Sequence, residues 1–100
     1  MTIARGFDLL AGVYLGEDRA LFGSSVDDSI RAFAAENPED VTTSVAGLAG
    51  LLASSMTDGQ LDHRWIHDLH SSYDPRDDGF TYREWFAHAL ELLRSEAATT

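Results

Sequence analysis

The chain has 100 residues, of which 44% are hydrophobic and 24% charged, with eight glycines and two prolines. This composition excludes disordered, collagenous and low-complexity proteins and predicts one compact domain over residues 1–100. The formal net charge is -10, from seven Lys plus Arg and seventeen Asp plus Glu. Because such a chain repels phosphate groups, binding to nucleic acid or to an anionic membrane is disfavoured, and a basic macromolecule is the expected partner.

The sequence also limits the compartment and the chemistry. It has no cysteine, and therefore no disulfide, thiol nucleophile or Cys-based zinc site. The N-terminal apolar stretch is interrupted by Asp8 and Gly12, unlike the continuous apolar region of a signal peptide. No apolar run approaches the roughly 20 residues that span a bilayer. We therefore expect a soluble, cytoplasmic protein.

Three helices are predicted in the first half of the chain, where apolar residues recur at intervals of three and four. The first ends at Gly16, and the second begins after the N-cap residue Ser25 and stops at Asn37. Pro38 suits the first turn of the third. The apolar stripes are Ile3, Phe7, Leu10 and Tyr14; Val26, Ile30, Phe33 and Ala34; and Val41, Val45, Leu48 and Leu52.

The third predicted helix is expected to be the most buried one. Its segment 45–53 is almost wholly apolar or small. Gly47 and Gly50 lie within this segment, and we expect both to let a neighbouring element approach closely.

Two further helices are predicted, each opened by a capping box, in which two side chains three residues apart bond each other's backbone N–H groups. Thr57 and Gln60 open the fourth helix, and Thr81 and Glu84 open the fifth, with a polar loop over about 70–80 between them. No stretch alternates long enough to predict a strand, so the fold class is all-α, with about five short helices around one core. The apolar residues of these two helices are Leu61, Trp65, Ile66 and Leu69, and Tyr82, Trp85, Phe86, Ala89, Leu90 and Leu93.

The loop before the fifth helix has some features of a calcium-binding EF-hand, since three Asp precede Gly79. Counting from Asp74, however, position 3 is Arg76 and position 12 is Trp85, where the EF-hand needs carboxylate ligands. The pattern therefore favours an acidic turn in which Asp-Gly provides the turn geometry.

Three histidines form a second candidate metal site. His63, His67 and His70 are spaced i, i+4, i+7 on one helical stripe, and imidazoles in this arrangement can bind zinc, with Asp62 or Asp74 as a further ligand. The favoured interpretation is a solvated face that gains positive charge below about pH 6.5. The alternative is a metal-dependent helical sensor or enzyme.

The sequence shows no catalytic motif. It has neither a Gly-x-Ser-x-Gly elbow nor a phosphate-binding Gly-rich loop, so we predict a protein that is not an enzyme and needs no cofactor. Its distinctive feature is four adjacent carboxylate pairs in loops or first helical turns. They serve as helix N-terminal charges and turn formers, as a field that attracts a cationic partner, or as a mimic of nucleic acid that binds DNA-binding proteins. The pairs are Glu17 and Asp18, Asp27 and Asp28, Glu39 and Asp40, and Asp77 and Asp78.

The C-terminal half carries a resemblance to a known family. Tyr73-Asp74-Pro75 is followed by Asp78-Gly79 and Thr81-Tyr82-Arg83-Glu84-Trp85, and is preceded by Leu51-Leu52-Ala53-Ser54 and the Thr57-Asp58 cap. In order and spacing, from about Phe7 to Leu93, the chain resembles the CdiI-type immunity proteins of bacterial contact-dependent growth inhibition systems. The resemblance implies a small helical cytoplasmic protein that binds the toxin domain delivered by a neighbouring cell and blocks its active site or substrate surface. Many such toxin domains are nucleases and therefore basic, which suits an acidic inhibitor.

The leading hypothesis is thus an immunity protein that neutralises a cognate toxin domain by stoichiometric occlusion. The contact surface is predicted on two acidic loops, with carboxylates that steer the partner and a few aromatic anchors. The predicted partner-binding residues are Glu17, Asp18, Tyr73, Asp74, Asp77 and Asp78.

Overall fold

The structure, a computed structural model, describes residues 7, 9–17, 21 and 23–98. Within these ranges all regular secondary structure is helical, which confirms the all-α prediction. The elements in chain order are a π-helical segment Leu10–Tyr14, α1 (Val26–Glu36), α2 (Pro38–Ala53), α3 (Asp58–His63) continued by a second π-helical segment Arg64–Asp68, a 3₁₀ turn Pro75–Asp78, and α4 (Tyr82–Ala98).

The first helix boundaries follow the predicted caps. Ser25 Oγ accepts the N–H of Asp28 at 3.1 Å, which caps α1. At the junction of α1 and α2, Asn37 ends one helix and precedes the Pro38 start of the next. Its side-chain amide donates to the Phe33 carbonyl at 3.2 Å and to the Tyr14 hydroxyl at 3.1 Å. The junction is therefore tied to the first helical segment as well as to α1.

Both predicted capping boxes are confirmed. The N–H of Thr57 donates to Gln60 Oε1 at 2.8 Å, and the N–H of Gln60 donates to Thr57 Oγ1 at 3.2 Å. Thr81 and Glu84 exchange the same two hydrogen bonds, at 2.8 and 3.1 Å. These caps satisfy N–H groups that have no partner within the first helical turn, and so they fix where α3 and α4 begin.

The core is built around α4. Both α1 and α2 pack more extensively against α4 than against each other. All six predicted apolar residues of α4 are buried: Tyr82, Trp85, Phe86, Ala89, Leu90 and Leu93. The prediction that α2 is the most buried helix is wrong, because Ala46, Gly50 and Ala53 are exposed. Small side chains carry little apolar surface into water, whereas the aromatic rings of α4 gain far more from burial.

The two α2 glycines behave differently. A Cβ atom on Gly47 would lie 2.6 Å from Cδ2 of the Phe7 ring, so the predicted close approach is confirmed there. No atom would lie within 4 Å of a Cβ on Gly50, so the same prediction is wrong for that residue. Gly50 faces outward on the exposed side of α2.

An aromatic cluster connects Phe7, the second π-helical segment and α4. The Trp65 ring lies 5.9 Å from Phe7, 5.3 Å from Trp85 and 5.4 Å from Phe86, measured between ring centroids. Its indole N–H donates to the Tyr73 carbonyl at 2.9 Å. Trp65 is fully buried, so this bond anchors the following loop directly to the core.

Arg83 connects α4 to the end of α2 and to the turn that follows it. Its guanidinium donates to three backbone carbonyls, those of Leu52 at 2.8 Å and of Ser54 and Met56 at 2.7 Å each. These carbonyls lie at the end of α2 and in the turn that leads to α3. One side chain of α4 therefore satisfies acceptors that the end of α2 leaves free.

Candidate partner-binding site

The chain segments that lead into the two loops predicted to bind a partner are joined by hydrogen bonds. The Leu15 carbonyl accepts the N–H of Ser72 at 3.0 Å and the hydroxyl of Ser71 at 3.1 Å. Exposed Glu17 comes two residues after Leu15, and the second loop continues from Ser72 into Tyr73. Asp18 lies outside the described residues. The fold thus joins the residues that precede two acidic segments far apart in the sequence.

Tyr73 supports the second loop from beneath. Its ring lies 5.2 Å from Trp85, and only 4% of the residue is exposed. Its hydroxyl donates to Asp78 Oδ2 at 2.7 Å. The sequence placed Tyr73 among the residues that contact a partner, but the ring completes the aromatic core. The hydrogen bond from Tyr73 therefore holds the exposed Asp78 carboxylate against the core.

The charge of Asp74 is neutralised within the protein. Arg76 Nε lies 3.0 and 3.2 Å from the two Asp74 oxygens, and its Nη2 donates to Asp74 at 2.8 Å and to Asp62 at 3.1 Å. The Arg76 hydrogen bonds hold the pKa of the Asp74 carboxyl below its ordinary value. Asp74 also accepts the backbone N–H of Arg76 at 2.9 Å, which caps the 3₁₀ turn.

Tyr82 lies under this ion pair. Its hydroxyl donates to Asp62 Oδ1 at 2.7 Å, and the Arg76 guanidinium lies 5.4 Å from the centre of its ring. Burial, and then the hydrogen bond to Asp62, raises the pKa of the Tyr82 hydroxyl well above its ordinary value. Tyr82 therefore stays neutral and serves as a donor that connects α4 to Asp62 on α3, which also accepts Arg76 of the turn.

Asp77 and Asp78 occupy the exposed side of the turn. The next residue, Gly79, has φ +85°, a left-handed conformation that side chains disfavour. Within the described ranges, no ion pair reaches Glu17 or Asp77. Among the described arginines, three are paired with carboxylates and Arg83 is held by carbonyls, and the net charge of -10 gives the protein a negative field.

The histidine stripe is only partly assembled. The rings of His63 and His67 stack, with centroids 4.8 Å apart. His70 follows the end of the helix and has φ +63°, a left-handed conformation. The π-helical segment Arg64–Asp68 has also changed the register that a regular α-helix would give. Across the described part of the chain, no group of three or more His, Asp or Glu is arranged to hold a metal ion.

Sequence reasoning missed a contact between three elements beside the site. Nε2 of His88, on α4, lies 2.9 Å from Oδ1 of Asp27 in the first turn of α1. The Phe80 ring, just after the acidic turn, stacks on the His88 ring with centroids 6.0 Å apart. His88 and Asp27 are separated by 61 residues, so no local sequence pattern indicates the contact.

Comparison with known families gives one match over most of the chain. Residues 4–93 match the CdiI immunity protein family, a span that includes both acidic loops and all four α-helices up to Leu93. No curated protein sequence and no solved structure matches the chain. A search of the described residues finds no helix long and apolar enough to cross a membrane. The family match confirms the resemblance seen in the sequence, and the chain belongs to the CdiI immunity protein family.

Proposed function

We propose that this protein neutralises one cognate toxin domain by binding it one to one and covering its active site or substrate surface. Membership of the immunity protein family supports a toxin-neutralising function. The toxin domain is basic and of nuclease type, and the complex forms in the cytoplasm of the cell that makes the inhibitor. The inhibitor performs no catalysis and uses no cofactor.

The junction of the two acidic loops is the observation that carries the placement of the contact surface. The bonds from Ser71 and Ser72 to the Leu15 carbonyl hold the loops together. Asp77 and Asp78 on one loop and Glu17 on the other are exposed. We place the contact on these carboxylates together with Asp18, with Tyr73 and Asp74 maintaining the shape of the second loop.

Electrostatic attraction should raise the rate at which the toxin domain associates with this surface. The net charge of -10 produces a negative field that steers a basic partner toward the inhibitor. Complementary charge raises the association rate, and salt screens it within about 10 Å at 0.1 M ionic strength. The affinity should therefore fall as salt rises, mainly through slower association.

Calorimetric titration against the adjacent toxin domain tests the function. The titrant is the C-terminal domain of whatever large or secreted protein is encoded beside this chain, at low and moderate salt. We expect one-to-one binding that weakens with salt and abolishes the toxicity of the domain. A folded inhibitor that does not bind this domain would overturn the proposed function.

Charge reversal tests the surface. Asp77→Lys and Glu17→Lys should each lower the affinity by about tenfold or more and reduce its salt dependence, since like charges would then face each other. Glu96→Lys is the matched control because it changes the net charge equally. It lies near the far end of α4, roughly 20 Å from Thr81 by helical rise. Equal losses for all three variants would contradict the placement.

A further inference from the structure

We infer that His88 is a positioning residue for partner binding, which holds Phe80 and thereby the acidic turn Pro75–Asp78. This inference rests on the proposed function. Phe80 and His88 stack with an interplanar angle of 19° and centroids 6.0 Å apart. His88 is exposed on α4, whereas Phe80, which directly follows the acidic turn, is partly buried and also packs against the core.

The His88 ring is itself fixed by α1. Nε2 lies 2.9 and 3.1 Å from the two carboxylate oxygens of Asp27. Asp27 lies in the first turn of α1, where the helix dipole favours a carboxylate. The ring therefore has a defined orientation on α4, set by a second helix, before Phe80 packs on it.

The acidic turn is held on both sides, and on its C-terminal side Phe80 leads directly into the Thr81 cap of α4. On the N-terminal side, Trp65 holds the Tyr73 carbonyl at 2.9 Å, deep in the core. On the other side, the left-handed Gly79 allows the chain to pivot, and the N–H of Phe80 bonds only within the turn, to the Pro75 carbonyl at 3.1 Å. The stack on His88 adds a side-chain contact between Phe80 and α4 to the connection made by the Thr81 cap, so Asp77 and Asp78 lie between two anchored segments.

The flanking charges indicate which interaction of His88 matters. Its helix places Glu84 one turn before it and Glu91 one turn after it, and α1 presents Asp27. A single histidine among these carboxylates changes the charge that the toxin meets very little, so attraction or repulsion of the toxin does not explain His88. What His88 provides is a planar ring that stacks on Phe80, and an uncharged aromatic side chain should be able to take its place.

Variants of the full chain separate the ring from the charge. His88→Ala removes the stack and should lower the affinity for the adjacent toxin domain by about tenfold. His88→Phe keeps a ring but loses the Asp27 contact, and its affinity should stay within about threefold of the wild type. Phe80→Ala should match His88→Ala, and the double variant should lose no more than either, as expected of residues that act as one unit. His67→Ala, an exposed histidine on another helix, is the control.

Amide hydrogen exchange of the free inhibitor provides a second readout. In His88→Ala, exchange should accelerate at 76–80 and stay unchanged in the buried part of α4. Unchanged exchange at 76–80 would overturn the positioning role, whether or not the toxin domain binds. Wild-type affinity in His88→Ala would overturn it while leaving the proposed function intact. Absence of binding by the wild type would overturn the proposed function and with it the role in partner binding, and exchange at 76–80 would still decide whether His88 holds the turn.

Discussion

The hydroxyl of Tyr73 donates a hydrogen bond to Oδ2 of Asp78 at 2.7 Å, joining a buried ring to an exposed carboxylate. The ring packs against Trp85 on α4. The position of one surface charge is thus determined by the aromatic core, and an error in core packing would be transmitted to the acidic loop.

Replacing Tyr73 with Phe should therefore reduce toxin binding as well as stability. The variant keeps the ring packing and loses one hydrogen bond, which costs about 0.5–1.5 kcal/mol in the free energy of unfolding. The affinity for the toxin domain should fall by about threefold to tenfold because Asp78 is no longer held. Urea unfolding and calorimetry measure the two quantities. Wild-type affinity in the folded variant would contradict a positioning role for Tyr73.

The two α2 glycines should respond to alanine with opposite signs. Gly47→Ala places a Cβ 2.6 Å from the buried Phe7 ring, and the overpacking should cost about 1–3 kcal/mol in the free energy of unfolding. Gly50→Ala meets no atom within 4 Å and should stabilise the helix by about 0.5–1 kcal/mol. Denaturant unfolding measures the change in the free energy of unfolding for both variants. Changes of the same sign would refute the packing of Phe7 on Gly47.

Arg83 should be among the most sensitive residues outside the apolar core. Arg83→Met removes the donors of three carbonyl hydrogen bonds, and we expect a loss of about 2–4 kcal/mol in the free energy of unfolding. Arg83→Lys should recover only part of this, since an ammonium lacks the planar fork of a guanidinium. The control is Arg94→Met, an exposed arginine of the same helix, which should change stability by less than about 0.5 kcal/mol.

Acid should weaken the fold partly through Asp74. Arg76 depresses the pKa of this carboxyl in the folded state below the 3.8 of the unfolded chain. Its contribution to stability is therefore fully present above pH 3.8 and is lost as the pH falls through the folded-state pKa. Unfolding measured between about pH 6 and pH 2.5 should show a shallower acid loss in Asp74→Asn than in the wild type. An identical slope would mean that the Arg76 pair contributes nothing in solution.

Local chemistry made much of the fold predictable. Capping boxes and the Ser25 cap act over three residues, so Thr57, Thr81 and Ser25 could be identified as helix starts without any tertiary contact. The aromatic stripe of α4 was equally clear, because its spacing repeats at helical intervals. The order of burial was not predictable in this way. A count of apolar residues favoured α2, whereas side-chain size decides how much surface each helix can bury.

The candidate site depended on contacts that sequence patterns do not show. The Ser71 and Leu15 partners are 56 residues apart, and His88 and Asp27 are 61 apart. The charge of Asp74 could be read from the sequence, but its neutralisation by Arg76 required the turn geometry of Pro75–Asp78. The predicted alignment of His63, His67 and His70 on one helical stripe is not formed for a similar reason. A π-helical segment and the left-handed conformation of His70 change the regular helical register.

The central position of α4 also has a consequence for the order of events during synthesis. Both α1 and α2 bury their apolar faces mainly against α4, and they leave the ribosome before it. The apolar faces of α1 and α2 in the emerging chain therefore stay largely exposed to water until Tyr82 and the residues after it are synthesised. A nascent or truncated product that stops before Tyr82 should be a substrate for proteases and chaperones, and protection against the toxin should begin only once α4 has been translated.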